Sequence, residues 1–191
     1  MTGRCQNRVM GIGWRGQRVA LVPLDKSKHM DNAWRWVNDP EVTQWLLIGD
    51  YPTTRAMEEA WFDAHDAVNP KEIHFAIETL VGLHIGQCGI HSIDYVSGAA
   101  TTGLFIGPPE YRGKGFGRDA ATVRTHYAFE VLGLRMLYVE VFAENEASIR
   151  NLKQLGYEEY GRCPARYWRR GAYRDTVELV LTREKFSPQV Q

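Results

Sequence analysis

Residues 112–117 read Arg-Gly-Lys-Gly-Phe-Gly and combine fixed cations with bare backbone. That chemistry suits a phosphate or pyrophosphate, because glycines let the ligand reach main-chain N–H groups and the cations add charge-assisted hydrogen bonds. Upstream, Thr101–Gly107 is a short apolar run with branched and aromatic residues, which predicts a strand. Pro108 and Pro109 end it, since proline offers no N–H to a ladder. Downstream, Phe116, Ala120, Val123, Tyr127 and Val131 recur at three- and four-residue steps, an amphipathic helix over Gly117–Leu132. Gly133 stands where a left-handed C-cap is expected. The glycines therefore occupy a strand-to-helix turn, where the first helical N–H groups lack partners and the helix dipole is positive.

Two nucleotide motifs are excluded. The NTPase phosphate loop needs Gly, four residues, then Gly-Lys-Ser/Thr, whereas Gly113-Lys114 is followed by Gly115. A dinucleotide fingerprint does occur at Gly11, Gly13 and Gly16, but it follows a polar segment and leads into a strand at Val19 instead of a helix. These glycines fit a flexible leader.

The spacing Arg112-x-x-Gly115-x-Gly117 resembles the acyl-CoA pyrophosphate loop of the GNAT superfamily of N-acetyltransferases. The order that follows is similar to the family's: a long helix, a strand at Met136–Ala143, Asn145-x-x-Ser148, a short helix, and Gly156-Tyr157. Trp36–Trp45 and Arg169–Asp175 resemble most closely the branch of ribosomal-protein N-terminal acetyltransferases, with spermidine and aminoglycoside acetyltransferases as related alternatives. The resemblance covers roughly residues 19–185. It implies an α/β GNAT fold with a mixed, mostly antiparallel sheet of about seven strands, flanked by helices and splayed at its centre to hold acyl-CoA. It divides the chain into a leader (1–17), an N-acetyltransferase domain (18–186) and a tail (187–191).

Site roles follow from the same resemblance. Leu104, Phe105 and Ile106 would bind the pantetheine through their backbone. The N–H groups of Gly113, Gly115, Phe116, Gly117 and Arg118 would hold the pyrophosphate, with charge from Arg112 and Lys114. Asn145 is a favoured N-cap and would also reach the cofactor arm. Ser148 would touch the sulfur end or stand as an exposed helical serine. Many relatives place a Tyr general acid five residues before the Gly-Phe/Tyr pair; Leu152 stands there, so Ser148 or a water is the expected substitute. An amine with a pKa near 10 is only about a thousandth neutral at pH 7, so a base is needed. Glu140, Glu78, His74 and His91 are candidates. Trp36, Glu41, Trp45 and Tyr51, with Trp61, are candidate acceptor-pocket residues, although aromatics at such spacing also build cores.

The rest of the chain must position these groups. At 191 residues, 44% of them hydrophobic, the chain suits one folded domain. Strands are predicted at Val19–Pro23, His74–Glu78, Ile85–Ile93, Glu158–Trp168 and Ala172–Thr182. Helices are predicted at Lys28–Val37, Thr53–Ala67 and Glu146–Gln154, with a helical turn in Val42–Leu47. Net charge is zero, which argues against a nucleic-acid partner. No apolar run reaches the roughly 20 residues of a membrane helix, and the three cysteines suggest neither a disulfide frame nor a metal site. A cytoplasmic enzyme follows, with no metal and with room for a homodimer. Residues 24–70 hold nine acids against four bases, a bias that fits a cationic acceptor or simply a solvated helical face. Three functions compete: acetyl transfer from acetyl-CoA by direct attack of a primary amine in a ternary complex, the acceptor a protein N-terminus or a cationic small molecule such as a polyamine or aminoglycoside; transfer of a longer acyl group through a roomier and more basic pocket; and acyl-CoA sensing without turnover.

Overall fold

Short runs of branched residues, punctuated by turns, pair into a single sheet. The structure is a computed structural model that describes residues 13–186. The strands are β1 (Trp14–Arg15), β2 (Val19–Pro23), β3 (Ile73–Thr79), β4 (His84–Asp94), β5 (Ala99–Ile106), β6 (Met136–Phe142), β7 (Glu158–Arg169) and β8 (Ala172–Thr182). Their order is β1-β2-β3-β4-β5-β6-β8-β7, and every neighbouring pair is antiparallel except β5–β6.

The sheet has eight strands, one more than expected, because Trp14 and Arg15 pair with Leu21 and Ala20. The leader expectation is thereby corrected at its C-terminal end. The Asp119 carboxylate accepts the N–H groups of Gln17, Arg18 and Val19 at 3.1, 2.7 and 3.0 Å. A Cβ on Gly16 would fall 2.4 Å from that carboxylate, so the chain presses against it there. Cys5, Gly11, the rest of the leader and the 187–191 tail lie outside the described residues.

Helix ends follow their caps. α1 (Lys26–Val37) starts two residues before the predicted Lys28, because Asp25 accepts the Ser27 N–H at 2.8 Å. α2 is the single turn Pro40–Thr43, capped by Asp39, and it precedes most of the predicted Val42–Leu47 turn. α3 (Arg55–Ala64) is capped by Thr54 and stops short of the predicted Ala67. α4 (Phe116–His126) continues into a π-helical turn, Tyr127–Val131, and Gly133 then adopts a positive φ of 70°. α5 spans Glu146–Gln154 as predicted.

Two apolar clusters fill the space beside the sheet. One joins Val19, Leu21, Phe75, Ile77, Ile85 and Cys88 to Ala120 and Val123 of α4. The other joins Ile90, Phe129, Leu137, Leu152, Tyr157 and Leu179. Among the described residues, no helix is long and apolar enough to cross a membrane.

Candidate active site

The parallel pair sets the site. β5 and β6 match only over Ala99–Thr101 and Met136–Tyr138. β5 then runs on to Ile106 with β4 as partner, and β6 to Phe142 with β8. Beyond Thr101 the strands part, and the edge of β5 that faces β6 is left without a strand to pair with. Backbone polar groups must find partners, so this open edge is a natural seat for an extended ligand bearing amides. Around it lies a cleft of about 1460 Å³. Leu104, Phe105 and Ile106 border it, as do Gly113, Gly115, Gly117, Arg118, Asn145 and Ser148.

The glycine turn leads into this cleft. Gly113 and Gly115 have φ of 69° and 86°, the left-handed region that favours glycine. Gly115 is the N-cap of α4 and supplies no side-chain cap, so the first amides of that helix stay open to an anion. The flanking groups sort themselves. Phe116 turns inward against Tyr111, ring centroids 5.2 Å apart. Lys114 does not border the cleft, and Arg118 donates to Gln154 at 2.6 Å. Arg112 donates to the carbonyls of Ile106 and Gly107, and its Nη1 lies 3.7 Å from Glu41. Its guanidinium braces the strand-to-loop corner instead of projecting freely from the loop.

Asn145 caps α5 by accepting the Ser148 N–H at 3.1 Å, and both residues face the cleft. Leu152 is only 6% exposed, in the core as well as at the cleft wall. Glu140 borders the cleft, but Arg166 sits 2.6 Å from its carboxylate and the Tyr167 hydroxyl donates to it at 3.3 Å. Both contacts occupy the carboxylate and turn it away from an incoming amine. Glu78 is bound to the buried His29 at 3.0 Å and lies away from the cleft.

Two acceptor-pocket expectations are corrected. Trp36 is buried against Phe105 and His84, and a Cβ on Gly107 would fall 2.1 Å from its ring. It belongs to the core because α1 lies directly on the sheet. Tyr51 is 75% exposed and outside the cleft. Glu41 and Trp45 do border it, with the Arg174 guanidinium 5.3 Å above the Trp45 ring. The acidic bias also divides. Asp25 and Asp39 are caps, Asp31, Asp63 and Asp50 pair with Arg55, Lys26 and Arg170, and only Glu41 and Glu58 face the cleft. Hydrogen bonds from Arg170 and then Thr43 hold the Asp50 carboxyl down at about 2, fastening the loop after α2 to the β7–β8 hairpin.

The sequence alone did not assemble the far wall. Glu58 and Trp61 on one face of α3, and His65 at its C-cap, recur at helical spacing, and all three line the cleft. The His65 ring stacks on Trp61 at 4.2 Å, with Nδ1 2.7 Å from the Trp61 carbonyl. Glu72 Oε2 lies 3.5 Å from His65 Nε2 and 3.3 Å from His74 Nε2. These atoms fall within 4.8 Å of one another, close enough to share protons or a small cation. His91 follows, 5.1 Å from His74, with its ring folded over Gly89. Burial lowers the pKa of both His74 and His91 and outweighs the opposing pull of Glu72, so both are neutral near pH 7. Burial pushes Glu58 up from the usual carboxylate range.

A family model described as "Acetyltransferase (GNAT) domain" matches residues 18–158, and the chain belongs to that family. It is 35% identical over 127 residues to an N-acetyltransferase, p20, of Bacillus licheniformis, covering 65% of this chain and 70% of that protein. It is 30% identical over 105 residues to spermidine N(1)-acetyltransferase of Escherichia coli K12. That match takes in 55% of this chain and 56% of the relative, little more than half its length. Among solved structures, a spermidine N-acetyltransferase of Vibrio cholerae, in complex with CoA and spermine, superposes with a TM-score of 0.81 at 22% identity. The superposition covers 87% of this chain and 96% of that one, and it establishes likeness of fold.

Proposed function

We propose that the protein transfers an acetyl group from acetyl-CoA to a primary amine of a polycationic small molecule. The observation that carries the reading is the open edge of β5 running into the uncapped, glycine-lined start of α4. The pantetheine lies along Leu104–Ile106, and the pyrophosphate rests on the amides of Gly113, Gly115, Phe116, Gly117 and Arg118. That arrangement puts the thioester near Gly103, where β5 leaves β6.

The amine enters from the wall formed by α3 and β4. His91, neutral and beside Gly89, takes its proton. His74 and Glu72 pass the charge toward solvent, where Glu72 is partly exposed. The nitrogen attacks the thioester carbonyl, the C–S bond breaks, and the leaving thiolate is protonated by Ser148 or a water. Attack is direct in a ternary complex, and burial pushes the cleft-lining Cys88 thiol up to about 12, which makes it a poor nucleophile.

The acceptor class rests on Glu58 and Trp61. A buried carboxylate beside an aromatic face is a site for a second ammonium group. The name of the Escherichia coli relative supports a polyamine in particular. A protein N-terminus would use the same cofactor end but would not need Glu58. The test is a thiol-release assay with acetyl-CoA across polyamines, aminoglycosides and short peptides. Polyamines should give the highest kcat/KM. Turnover restricted to peptides would replace this acceptor with the protein-terminus alternative.

A further inference from the structure

Arg124 is the largest fully enclosed side chain of the described residues, 1% exposed, yet it borders the cleft. A guanidinium keeps its charge in any protein interior, and a buried charge is costly unless a counter-charge and hydrogen bonds compensate. Here compensation is thin. Nη1 donates to the Gly103 carbonyl at 2.9 Å, Nε has no partner, and among the described residues no carboxylate pairs with the group. Thr102, the residue before Gly103, also has a buried hydroxyl without a partner and also borders the cleft. Two unsatisfied polar groups therefore gather where β5 separates from β6. An apolar acetyl methyl leaves both of them unanswered.

Building on the cofactor placement above, we infer that Arg124 and Thr102 receive the terminal carboxylate of a short dicarboxylic acyl group, so that the site takes, besides acetyl-CoA, a donor such as succinyl-CoA. The guanidinium is held beside the reactive end of the donor and supplies the counter-charge for that carboxylate. The neutral amine attacks the thioester carbonyl, the C–N bond forms and the C–S bond breaks. The products are an amide bearing a free carboxylate and the CoA thiol, and the amine proton passes through His91 to the departing sulfur or to solvent. The chemistry matches the basic acyl pocket that a longer-acyl transferase requires.

The test is calorimetric binding of CoA, butyryl-CoA and succinyl-CoA to the wild-type protein and to Arg124→Met and Arg124→Lys. Butyryl-CoA carries a neutral chain of four carbons, the same number as succinyl, so only the carboxylate differs. Wild type should bind succinyl-CoA about tenfold or more tightly than butyryl-CoA, because a site built for a polar group discriminates against its absence. Arg124→Met should lose that preference while binding CoA as before and melting no lower than wild type. Arg124→Lys should keep part of the preference. Equal affinity for the two acyl-CoAs in wild type, or a preference that survives in Arg124→Met, would overturn the inference while leaving CoA binding intact. Failure of CoA itself to bind would instead overturn the cofactor reading on which it rests.

Discussion

Gly117→Asp separates cofactor binding from folding. Gly117 lies in the first turn of α4, and its φ does not require glycine. A Cβ there would make ordinary contacts of 3.7 Å with Leu104 and Ile106, so the side chain fits without strain and points toward the open edge of β5. An acid near a helix N-terminus contributes about 0.3–1 kcal/mol of stability, and replacing a helical glycine adds a few tenths more. The melting temperature should therefore hold or rise slightly. Binding should move the other way. A carboxylate about 5 Å from a pyrophosphate charge, at an effective dielectric near 20, is repelled by about 3 kcal/mol. That amounts to roughly a hundredfold weaker binding. Calorimetric titration of CoA, paired with thermal melts, reads both quantities on one sample. If the variant melts like wild type and binds CoA within about threefold of it, the pyrophosphate does not sit on this turn. Gly115→Asp is a poorer probe, since its φ of 86° adds strain to any electrostatic effect.

The other predictions concern the acceptor wall and the frame. Glu58→Gln should raise KM for a polyamine several-fold and flatten its salt dependence, as screening acts over about 8–10 Å, while a simple monoamine is hardly affected in the same assay. His91→Gln should lower kcat by about 10²–10⁴. Because the His91 pKa is lowered, the base is active above that pKa, and the acid-side fall of the wild-type kcat/KM profile should vanish in the variant. Leu152→Ala should destabilise by about 2–5 kcal/mol through a core cavity, seen in denaturant melts, whereas Ser148→Ala should slow turnover and leave the melt unchanged. The Asp50–Arg170 clamp has a folded-state carboxyl pKa of about 2, below the unfolded value of ~3.9. Its contribution is complete above about pH 4 and is lost as pH falls toward 2, so Asp50→Asn should remove that acid-side change from the melting profile.

The strand, turn and helix of the proposed cofactor end were legible because they are local. A strand, a proline stop, a glycine turn and a helix lie in one run of sequence, and the glycine φ values confirm why glycine is needed there. The cap at Asn145 was equally local. Arg112 was misread in detail, because nothing in its spacing tells that its guanidinium folds back on Ile106 and Gly107. Trp36 was misplaced because helical periodicity fixes which residues share a face, not which layer that face meets. Trp61, His74 and His91 were separate candidates, but their assembly with Glu58, His65 and Glu72 into one wall was out of reach. It depends on β3–β4 pairing and on the end of α3 meeting that sheet, contacts distant in sequence. Arg124 did leave a signal, a charged residue next to Val123 and four beyond Ala120 on the buried face of a helix.

The most direct test is the initial rate of thiol release from acetyl-CoA with spermidine as acceptor, measured on wild type beside Gly117→Asp. Wild type should turn over at a rate that saturates in both substrates and yield acetylated amine in step with free CoA. The variant should need a far higher acetyl-CoA concentration to approach the same maximal rate. Absence of thiol release with spermidine and every other primary amine, in a protein that binds CoA, would contradict the account and leave an acyl-CoA sensor in its place.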